Sequence, residues 1–312
     1  MDVSQNSSVL VTGGRGFIGR GVGKLLQRSG YNVISLDTSS LPSAGANQNA
    51  SGRDIVCDIT NPGQLEHTFA AEQIGAFIHL AAILPTAAGR APLRATQVNI
   101  DGSLNLLEAA RQFGVRRMIF GSSLSVYGTC AADQVVSETI PSAPEDLYAA
   151  AKLYVERTGD TYRDCHSVEF VSLRIGRVIG PGAQSTSSPW RSQIFEFLGA
   201  RDAAEIALPY VGSERVLLVH VDDVAKMLVT LLDAASPMYS VYNAPSESVV
   251  VSDLKCDVEK LNSNVSVKLG GECATGNPRL LDATRFRQEF GFQTVPIFEQ
   301  LRRAAERTRA QK

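Results

Sequence analysis

Cysteine is scarce in this 312-residue chain, and the five that occur are scattered and odd in number. None belongs to a Cys-x-x-Cys pair; they are Cys57, Cys130, Cys165, Cys256 and Cys273. This pattern argues against a disulfide framework and against a structural zinc site. The four histidines lack metal-ligand spacing as well, so no bound metal is predicted. Two of them, His79 and His220, stand at the ends of predicted strands, where we expect a structural role.

Excess charge and long apolar runs are also missing. The formal net charge is −2 and the pI about 6.1, so no basic surface for nucleic acid is expected. The longest apolar runs have strand length, so no membrane span is predicted. The N-terminal sequence MDVSQNSS is polar and lacks the apolar core of a signal peptide. We therefore expect residues 1–8 to form a short disordered leader, and the protein to be cytoplasmic.

Glycines, by contrast, form a cluster near the N-terminus. The stretch VLVTGGRGFIGRGVGKLL, residues 9–26, begins as a β-branched strand and continues as an amphipathic helix. Between the two, Gly14, Gly16 and Gly19 fit the pattern G-x-G-x-x-G, with Gly13 in addition. Glycines in such a turn let backbone N–H groups approach a pyrophosphate at the positive end of the helix. A strand before the motif and a helix after it make a dinucleotide site the preferred interpretation over a plain turn.

The second predicted strand, residues 33–36, ends in Asp37. An acidic residue about twenty positions after the glycines can accept hydrogen bonds from both adenosine ribose hydroxyls. It would repel a 2′-phosphate, and no Arg or Lys follows until Arg53. The sequence thus predicts NAD rather than NADP; the alternative is that Asp37 only begins a turn.

Strand and helix patterns alternate over the first half of the chain. The predicted strands are 9–12, 33–36, 54–57, 76–80, 117–121 and 170–175, and the predicted helices are 17–28, 63–72, 93–113 and 148–163. This alternation predicts an α/β fold, a Rossmann-like doubly wound parallel sheet. After Pro181 the pattern weakens into a loop and short elements, including predicted helices at 192–198, 222–232 and 285–290. We predict an NAD-binding domain of residues 9–180 plus part of 215–245, and a smaller C-terminal α/β substrate-binding cap of residues 181–214 and 246–312.

Three polar side chains follow in an order that suggests proton transfer. Ser123 comes directly after a strand, and Tyr148 and Lys152 lie four residues apart, on one helix face. A Lys ammonium beside a phenol should lower the Tyr pKa toward neutrality, which suits Tyr148 to general acid/base work. Ser123 could steady charge on the same substrate oxygen. A Tyr-x-x-x-Lys pair alone is often an amphipathic surface pair; its place after the glycine turn and Asp37 gives it weight.

Together these residues resemble the extended short-chain dehydrogenase/reductase family, in its nucleotide-sugar epimerase and dehydratase group. The similarity covers nearly the whole length and rests on TGGRGFIG (12–19), Asp37, CDIT (57–60), FIHLAA (77–82), VNIDGSLNLLEAA (98–110), MIFGSSLSVYG (118–128), YAAAK (148–152), LRIGRVIGPG (173–182) and VHVDDVA (219–225).

The resemblance implies roles for individual residues. Ser123, Tyr148 and Lys152 would be catalytic. Asp58 would accept a hydrogen bond from the adenine amino group, and Asn99 would anchor the helix and waters behind the active site. The implied cofactor-binding residues are Gly13, Gly16, Phe17, Ile18, Gly19, Asp37, Asp58, Ile59, Leu80, Ala81, Ala82, Asn99, Tyr148 and Lys152. The helices around 93–113 and 148–163 would form a homodimer interface, as in many relatives.

Departures from the family pattern concern the substrate. Related dehydratases carry an Asp-Glu pair where this chain has Leu124 and Ser125, so dehydration of that type is not expected. Arg177 replaces an Asn of many epimerases; it could bind a carboxylate in a bidentate fork, or form a structural salt bridge. Arg215 resembles the first of two arginines that clamp a nucleotide diphosphate. The second has no match at its usual place, and Arg279, at a shifted position, is the candidate to replace it. The predicted substrate-binding residues are Ser123, Ser125, Arg177 and Arg215.

Three functions remain open at this stage. The preferred one is an NAD-dependent sugar-nucleotide 4-epimerase, supported by the family pattern and Arg215. The alternative is an NAD-dependent dehydrogenase of a free sugar acid or uronate, supported by Arg177 and the missing second clamp arginine. The third is a non-catalytic NAD-binding protein, which the intact Ser123, Tyr148 and Lys152 argue against.

Overall fold

The structure, a computed structural model, describes residues 7–38, 52–183 and 187–310. The strands in chain order are β1 (Ser8–Thr12), β2 (Asn32–Asp37), β3 (Arg53–Val56), β4 (Ile74–His79), β5 (Arg117–Ser123), β6 (Val135–Val136), β7 (Glu169–Ile175), β8 (Arg177–Ile179), β9 (Ala204–Tyr210), β10 (Arg215–His220), β11 (Val241–Asn243), β12 (Glu247–Val250), β13 (Val265–Glu272) and β14 (Leu280–Leu281). The α-helices are α1 (Phe17–Arg28), α2 (Pro62–Ala71), α3 (Pro85–Arg90), α4 (Pro92–Thr96), α5 (Gly102–Gln112), α6 (Leu147–His166), α7 (Trp190–Glu196), α8 (Val221–Asp233), α9 (Val251–Leu261), α10 (Thr284–Phe290) and α11 (Ile297–Ala310).

Seven of these strands form one parallel sheet in the order β11-β7-β5-β4-β1-β2-β3. Strands β1, β4, β5 and β7 are buried along nearly their whole length because helices cover both faces of the sheet. The strand order reverses between β1 and β4, and in such sheets this point opens the crevice where ligands bind. The predicted fold class, a Rossmann-like doubly wound sheet, is confirmed.

The apolar core divides into layers around this sheet. Helices α1, α8 and α10 cover one face, and α2, α5 and α6 cover the other. A separate cluster joins α7, α9 and α11 to the three-stranded sheet β12-β10-β8 and the parallel pair β13-β9. Trp190, fully buried, is the largest side chain of this second cluster. The two-domain division stays a prediction, and these separate cores are its support.

The predicted helix 93–113 is interrupted. It consists of α4, a π-helical turn (Gln97–Asp101) and α5, and α3 precedes it. A π turn is closed by i→i+5 hydrogen bonds, and such turns inside α-helices are frequent at functional sites. The turn carries Asn99 into a buried position.

The leader prediction is wrong at its last residue. Ser8 is the first residue of β1 and is buried, and its N–H donates to the carbonyl of Gln73 at 2.7 Å. Residues 1–6 of the predicted leader lie outside the described residues. Among the helices that the structure describes, none is long and apolar enough to cross a membrane.

A buried arginine connects the inner strand β5 to the end of α8. Arg117 Nη1 contacts the carbonyls of Leu232 at 2.6 Å and Ala234 at 2.5 Å, and its Nη2 donates to Glu169 at 2.7 Å. A last hydrogen bond reaches Ala235, 118 residues away in sequence. Arg117 thereby caps the carbonyls left unpaired at the helix C-terminus, where positive charge is favourable.

Candidate functional site

A cleft of about 750 Å³ opens at the carboxyl ends of β1, β2, β4 and β5. That volume is in the range of small-molecule and cofactor sites. The predicted site residues that line it are Gly13, Gly16, Phe17, Ile18, Gly19, Asp37, Asp58, Ile59, Leu80, Ala81, Ala82, Ser123, Ser125, Tyr148, Lys152 and Arg177. Asn99 and Arg215 do not line it.

The glycine turn fits a pyrophosphate. Gly13 has φ +66°, and a Cβ there would lie 2.8 Å from the N atom of Ala81. A Cβ on Gly19 would lie 2.2 Å from the Gly13 carbonyl oxygen. Only glycine therefore allows β1 to turn this closely into α1. Helix α1 begins after Gly16 without a side-chain cap, so the N–H groups of its first turn are available to an anion.

Asp37 lines the part of the cleft where the sequence predicts the adenosine ribose. Its carboxylate accepts hydrogen bonds from the backbone N–H groups of Thr38 at 2.8 Å and Arg15 at 3.3 Å. The Arg15 side chain turns instead to Asp54, at 3.4 Å. The carboxylate is thus fixed by backbone donors beside the glycine turn, where a ribose diol would meet it.

Replacing Asp37 by Ala should weaken NAD binding about 10- to 100-fold, because hydrogen bonds to a charged group contribute about 1.5–3 kcal/mol. NADP should gain relative to NAD, since the negative charge that repels a 2′-phosphate is removed. Calorimetric titration of both dinucleotides measures this. Asp54→Ala is the matched control, because Asp54 lies outside the cleft. An unchanged NAD/NADP ratio in Asp37→Ala would contradict the assignment.

Two predicted cofactor residues have additional partners. Asp58 accepts from Arg94 Nη2 at 2.7 Å and from the backbone N–H of Thr60 at 2.9 Å. Burial would raise the pKa of Asp58, but these hydrogen bonds outweigh it and hold that pKa below its usual range. Asn99 holds the backbone of Ile83 from behind the cleft: its Oδ1 accepts from Ile83 N at 2.7 Å and its Nδ2 donates to Ile83 O at 2.9 Å. Asn99 therefore supports the loop after β4 without facing the cleft itself.

Ser123, Tyr148 and Lys152 come together where β5 ends against α6. Asp146 caps α6, accepting from the N–H of Ala149 at 2.7 Å, which places Tyr148 in the first turn. Ser123 and Tyr148 both line the cleft at this point, and their interaction partly offsets the effect of burial on the pKa of Tyr148. The Lys152 ammonium donates to the carbonyl of Gly121 at 2.7 Å and lies 5.5 Å from the centre of the Tyr148 ring.

The expected lowering of the Tyr148 pKa is not found. Burial raises the pKa of Tyr148 to about 12, although the hydrogen bond with Ser123 lowers it. Burial also lowers the pKa of Lys152 to about 7, against the opposing effect of Glu156. The expectation was wrong because it counted only the charge of Lys152, whereas desolvation dominates both groups.

A buried ion pair lies one helical turn beyond Lys152. Glu156 accepts from Arg174 Nη2 at 2.6 Å, and their side chains are 2% and 4% exposed. Ser122 donates to the same carboxylate at 2.5 Å. Arg174 also donates to the hydroxyl of Tyr127 at 2.7 Å, and Tyr127 donates to Asn243 at 2.8 Å. This network joins α6, β5, β7 and β11 next to Lys152.

Two arginines face the substrate end of the cleft. Arg177, predicted from sequence, is 9% exposed and donates to the carbonyl of Thr275 at 3.0 Å. Arg191, at the start of α7, was not predicted. Its Nε is buried without a hydrogen-bond partner, and burial together with the positive charge of Arg177 lowers its pKa. Within the described ranges neither arginine pairs with a carboxylate, so the pair can receive an anionic group.

Arg215 lies outside the cleft, contrary to prediction. In the register of β10 with β8, Leu218 lies opposite Arg177. Arg215 is three residues earlier, roughly 10 Å along the strand. Its side chain is exposed. Arg279, the possible substitute, is held by Glu214 at 2.5 Å and lines no part of the cleft either. Neither residue lines this cleft, and their role toward a nucleotide diphosphate stays a prediction.

The predicted structural histidines are both buried, at the ends of β4 and β10. His79 is hydrogen-bonded to Thr12 at 2.6 Å and Ser103 at 2.9 Å. His220 accepts from the N–H of Asp222 at 3.2 Å. Across the part of the chain that the structure describes, no cluster of three or more His, Cys, Asp or Glu could hold a metal ion.

Comparison with characterised proteins agrees with this geometry. The chain is 31% identical over 169 residues to UDP-glucose 4-epimerase of Bacillus subtilis (strain 168), covering 52% of this chain and 49% of that enzyme. It is 32% identical over 181 residues to uronate dehydrogenase of Pseudomonas putida, covering 56% of this chain and 63% of that enzyme. The chain spans about half the length of the UDP-glucose 4-epimerases that it matches.

The fold likeness extends over the whole chain. The structure of MoeE5 in complex with UDP-glucuronic acid and NAD superposes with a TM-score of 0.81 at 27% identity, covering 98% of this chain and 100% of that one. A model of the NAD dependent epimerase/dehydratase family matches residues 9–244. Because this match covers most of the sequence and confirms the resemblance inferred from its motifs, the chain belongs to the NAD-dependent epimerase/dehydratase family of enzymes, and its cofactor is NAD.

Proposed function

We propose that this protein is an NAD-dependent dehydrogenase that oxidises a secondary alcohol of a free, carboxylate-bearing sugar. The observation that carries the proposal is the pair Arg177 and Arg191, which faces the cleft without a carboxylate partner among the described residues. Arg215 and Arg279 lie outside it. Such a cleft offers cations to a carboxylate beside the reacting centre and none of the expected contacts to a nucleotide diphosphate.

Tyr148 is the proton acceptor of the proposed reaction. The substrate hydroxyl would lie between Ser123 and Tyr148, with its oxygen bound by the Ser123 hydroxyl. Bound NAD would be the hydride acceptor. When the hydroxyl proton goes to Tyr148 and a hydride leaves the carbon that bears this hydroxyl, a ketone remains. Tyr148 must act as the phenolate, and positive charge nearby stabilises that form. Lys152 supplies such a charge when protonated; burial lowers its pKa to about 7, and Glu156 opposes that lowering.

A sugar-nucleotide 4-epimerase is the second candidate. It is favoured by the similarity to the UDP-glucose 4-epimerase of Bacillus subtilis. It is also favoured by the similarity to MoeE5, whose structure contains UDP-glucuronic acid. It uses the same Ser123 and Tyr148 chemistry, but returns the hydride to the other face of the ketone. A UDP-uronate substrate would also present a carboxylate to Arg177 and Arg191. The two candidates therefore differ in whether NADH accumulates.

The test is to incubate the purified protein with NAD and a panel of free uronic acids, free aldonic acids and UDP-sugars. NADH is followed by absorbance, and each mixture is then separated by chromatography. NADH accumulating with one free acid supports the dehydrogenase. An isomerised UDP-sugar without net NADH contradicts it and supports the epimerase.

Replacing Arg191 by Met, which keeps length and volume but removes charge, should raise KM for the acid about 10²-fold. Losing one partner of a buried charge pair costs about 2–5 kcal/mol. The fall in kcat should be smaller. Arg215→Met is the matched control and should leave both constants unchanged. A strong effect of Arg215→Met with none of Arg191→Met would reverse the assignment of the substrate-binding arginines.

The homodimer and the cytoplasmic location stay predictions. The dimer is supported by apolar side chains exposed on α4 and α6, the helices expected at the interface. Leu93 is 73% exposed, Tyr154 50% and Leu147 36%. A second copy covering them would remove this apolar surface from water.

A further inference from the structure

Ser125 is placed so that it governs the hydroxyl of Ser123. It lies in the 3₁₀ turn Leu124–Tyr127 that follows β5, and it is 8% exposed. Its hydroxyl donates to Ser123 Oγ at 2.8 Å, and its backbone N–H donates to the same oxygen at 3.1 Å. Both donors of one residue thus converge on one atom of the catalytic set.

The contacts with Ser125 limit the further hydrogen bonds that the Ser123 oxygen can accept. A serine hydroxyl has two acceptor lone pairs and one proton to donate. Ser125 occupies both lone pairs, so Ser123 can enter a further hydrogen bond only by donating its proton. That proton is then available to an oxygen in the cleft that Ser123 and Tyr148 both line.

We propose that Ser125 is a positioning residue that makes Ser123 an obligate hydrogen-bond donor toward the reacting oxygen. This deepens the proposed function and rests on it for the identity of the substrate. Sequence analysis placed Ser125 among the substrate-binding residues; its contacts assign it to Ser123 instead, although it borders the cleft.

The hydrogen bonds from Ser125 therefore determine how a substrate hydroxyl can be oriented beside Ser123. An alcohol substrate cannot give its proton to Ser123, because that oxygen has no free lone pair. It can give the proton only to Tyr148, which is the productive direction. A ketone accepts from Ser123 and from protonated Tyr148 together. Donors aimed where negative charge develops stabilise the transition state more than the alcohol ground state.

A double-mutant cycle tests this coupling. Ser125→Ala should lower kcat/KM about tenfold, the value of about one hydrogen bond, when Ser123 is present. In the Ser123→Ala background the same substitution should change kcat/KM less than about twofold, since the oxygen that it orients is gone. Ser125→Thr, which keeps the hydroxyl, should restore most of the rate. Equal losses in both backgrounds would overturn the proposal.

Ser246→Ala is the matched control for a buried serine. Ser246 is 9% exposed and donates only to the carbonyl of Ala244, at 2.9 Å. It should leave kcat/KM unchanged, and a tenfold loss there would show that burial alone explains the Ser125 result.

A crystal structure of Ser125→Ala provides a readout that needs no substrate. With one lone pair freed, the Ser123 side chain should leave its single rotamer or occupy two. One unchanged rotamer would overturn the proposal. If the wild-type protein converts no member of the substrate panel, the proposed function fails, while the rotamer of Ser123 still decides the role of Ser125.

Discussion

Replacing Tyr148 by Phe should lower turnover about 10³-fold, since general acid/base groups contribute about 10²–10⁴ in rate. The affinity of this variant for NAD should stay within about twofold of the wild-type value. The substitution removes one oxygen and keeps the ring, so the walls of the cleft and the glycine turn are unaltered. Residual hydride transfer would rely on water as the proton acceptor in a buried site. NADH formation under single-turnover conditions and a separate NAD titration measure the two quantities.

Tyr154→Phe is the matched control for this experiment. Tyr154 lies on the same helix, α6, and is 50% exposed, so its hydroxyl is not part of the cleft. Its activity should equal that of the wild-type protein. Turnover of Tyr148→Phe above a tenth of the wild-type rate would exclude Tyr148 as the proton acceptor.

The second large effect is on stability, at the ion pair of Glu156 and Arg174. Glu156→Gln keeps the shape but leaves the Arg174 guanidinium buried without a counter-charge. Breaking a buried pair from one side costs about 3–5 kcal/mol in the free energy of unfolding. Urea denaturation measures the loss, and Glu156→Gln combined with Arg174→Met should recover a large part of it.

Glu205→Gln is the comparison for an exposed pair. Glu205 contacts Lys268 at 2.8 Å with side chains 50% and 72% exposed, so its loss should change stability by less than about 1 kcal/mol. Equal losses in the free energy of unfolding for Glu205→Gln and Glu156→Gln would contradict the prediction. They would mean that burial does not raise the cost of breaking the Glu156–Arg174 pair.

The cofactor side of the cleft was largely predictable because its residues are local in sequence. The glycine turn joins β1 directly to α1, and Asp37 ends the next strand, so strand and helix patterns alone place them. Ser123 could be placed by the same reasoning, and Tyr148 and Lys152 by their four-residue spacing on α6. The raised pKa of Tyr148 could not be predicted in this way, because it results from burial by elements that are distant in the sequence.

The substrate side was less predictable for the same reason. Strands β9 and β13 pair in parallel about 60 residues apart, and α9 and α11 complete their core from the end of the chain. No motif surrounds Arg191; its neighbour Trp190, fully buried, is the only local signal of a fixed position. Arg215 was predicted from sequence similarity, which gives no strand register; in the structure Leu218, three residues further on, lies opposite Arg177.

The arginine at the start of β5 sets an order of events during synthesis. Arg117 precedes its last carbonyl acceptor, Ala235, by 118 residues. At about 5–20 residues per second, the ribosome needs roughly 6 to 24 s to make that interval. Until then the guanidinium in the middle of the sheet has only Glu169 to bind, and the open edge of β7 awaits β11. The large parallel sheet therefore stays incomplete until the chain has been made as far as Asn243, the end of β11.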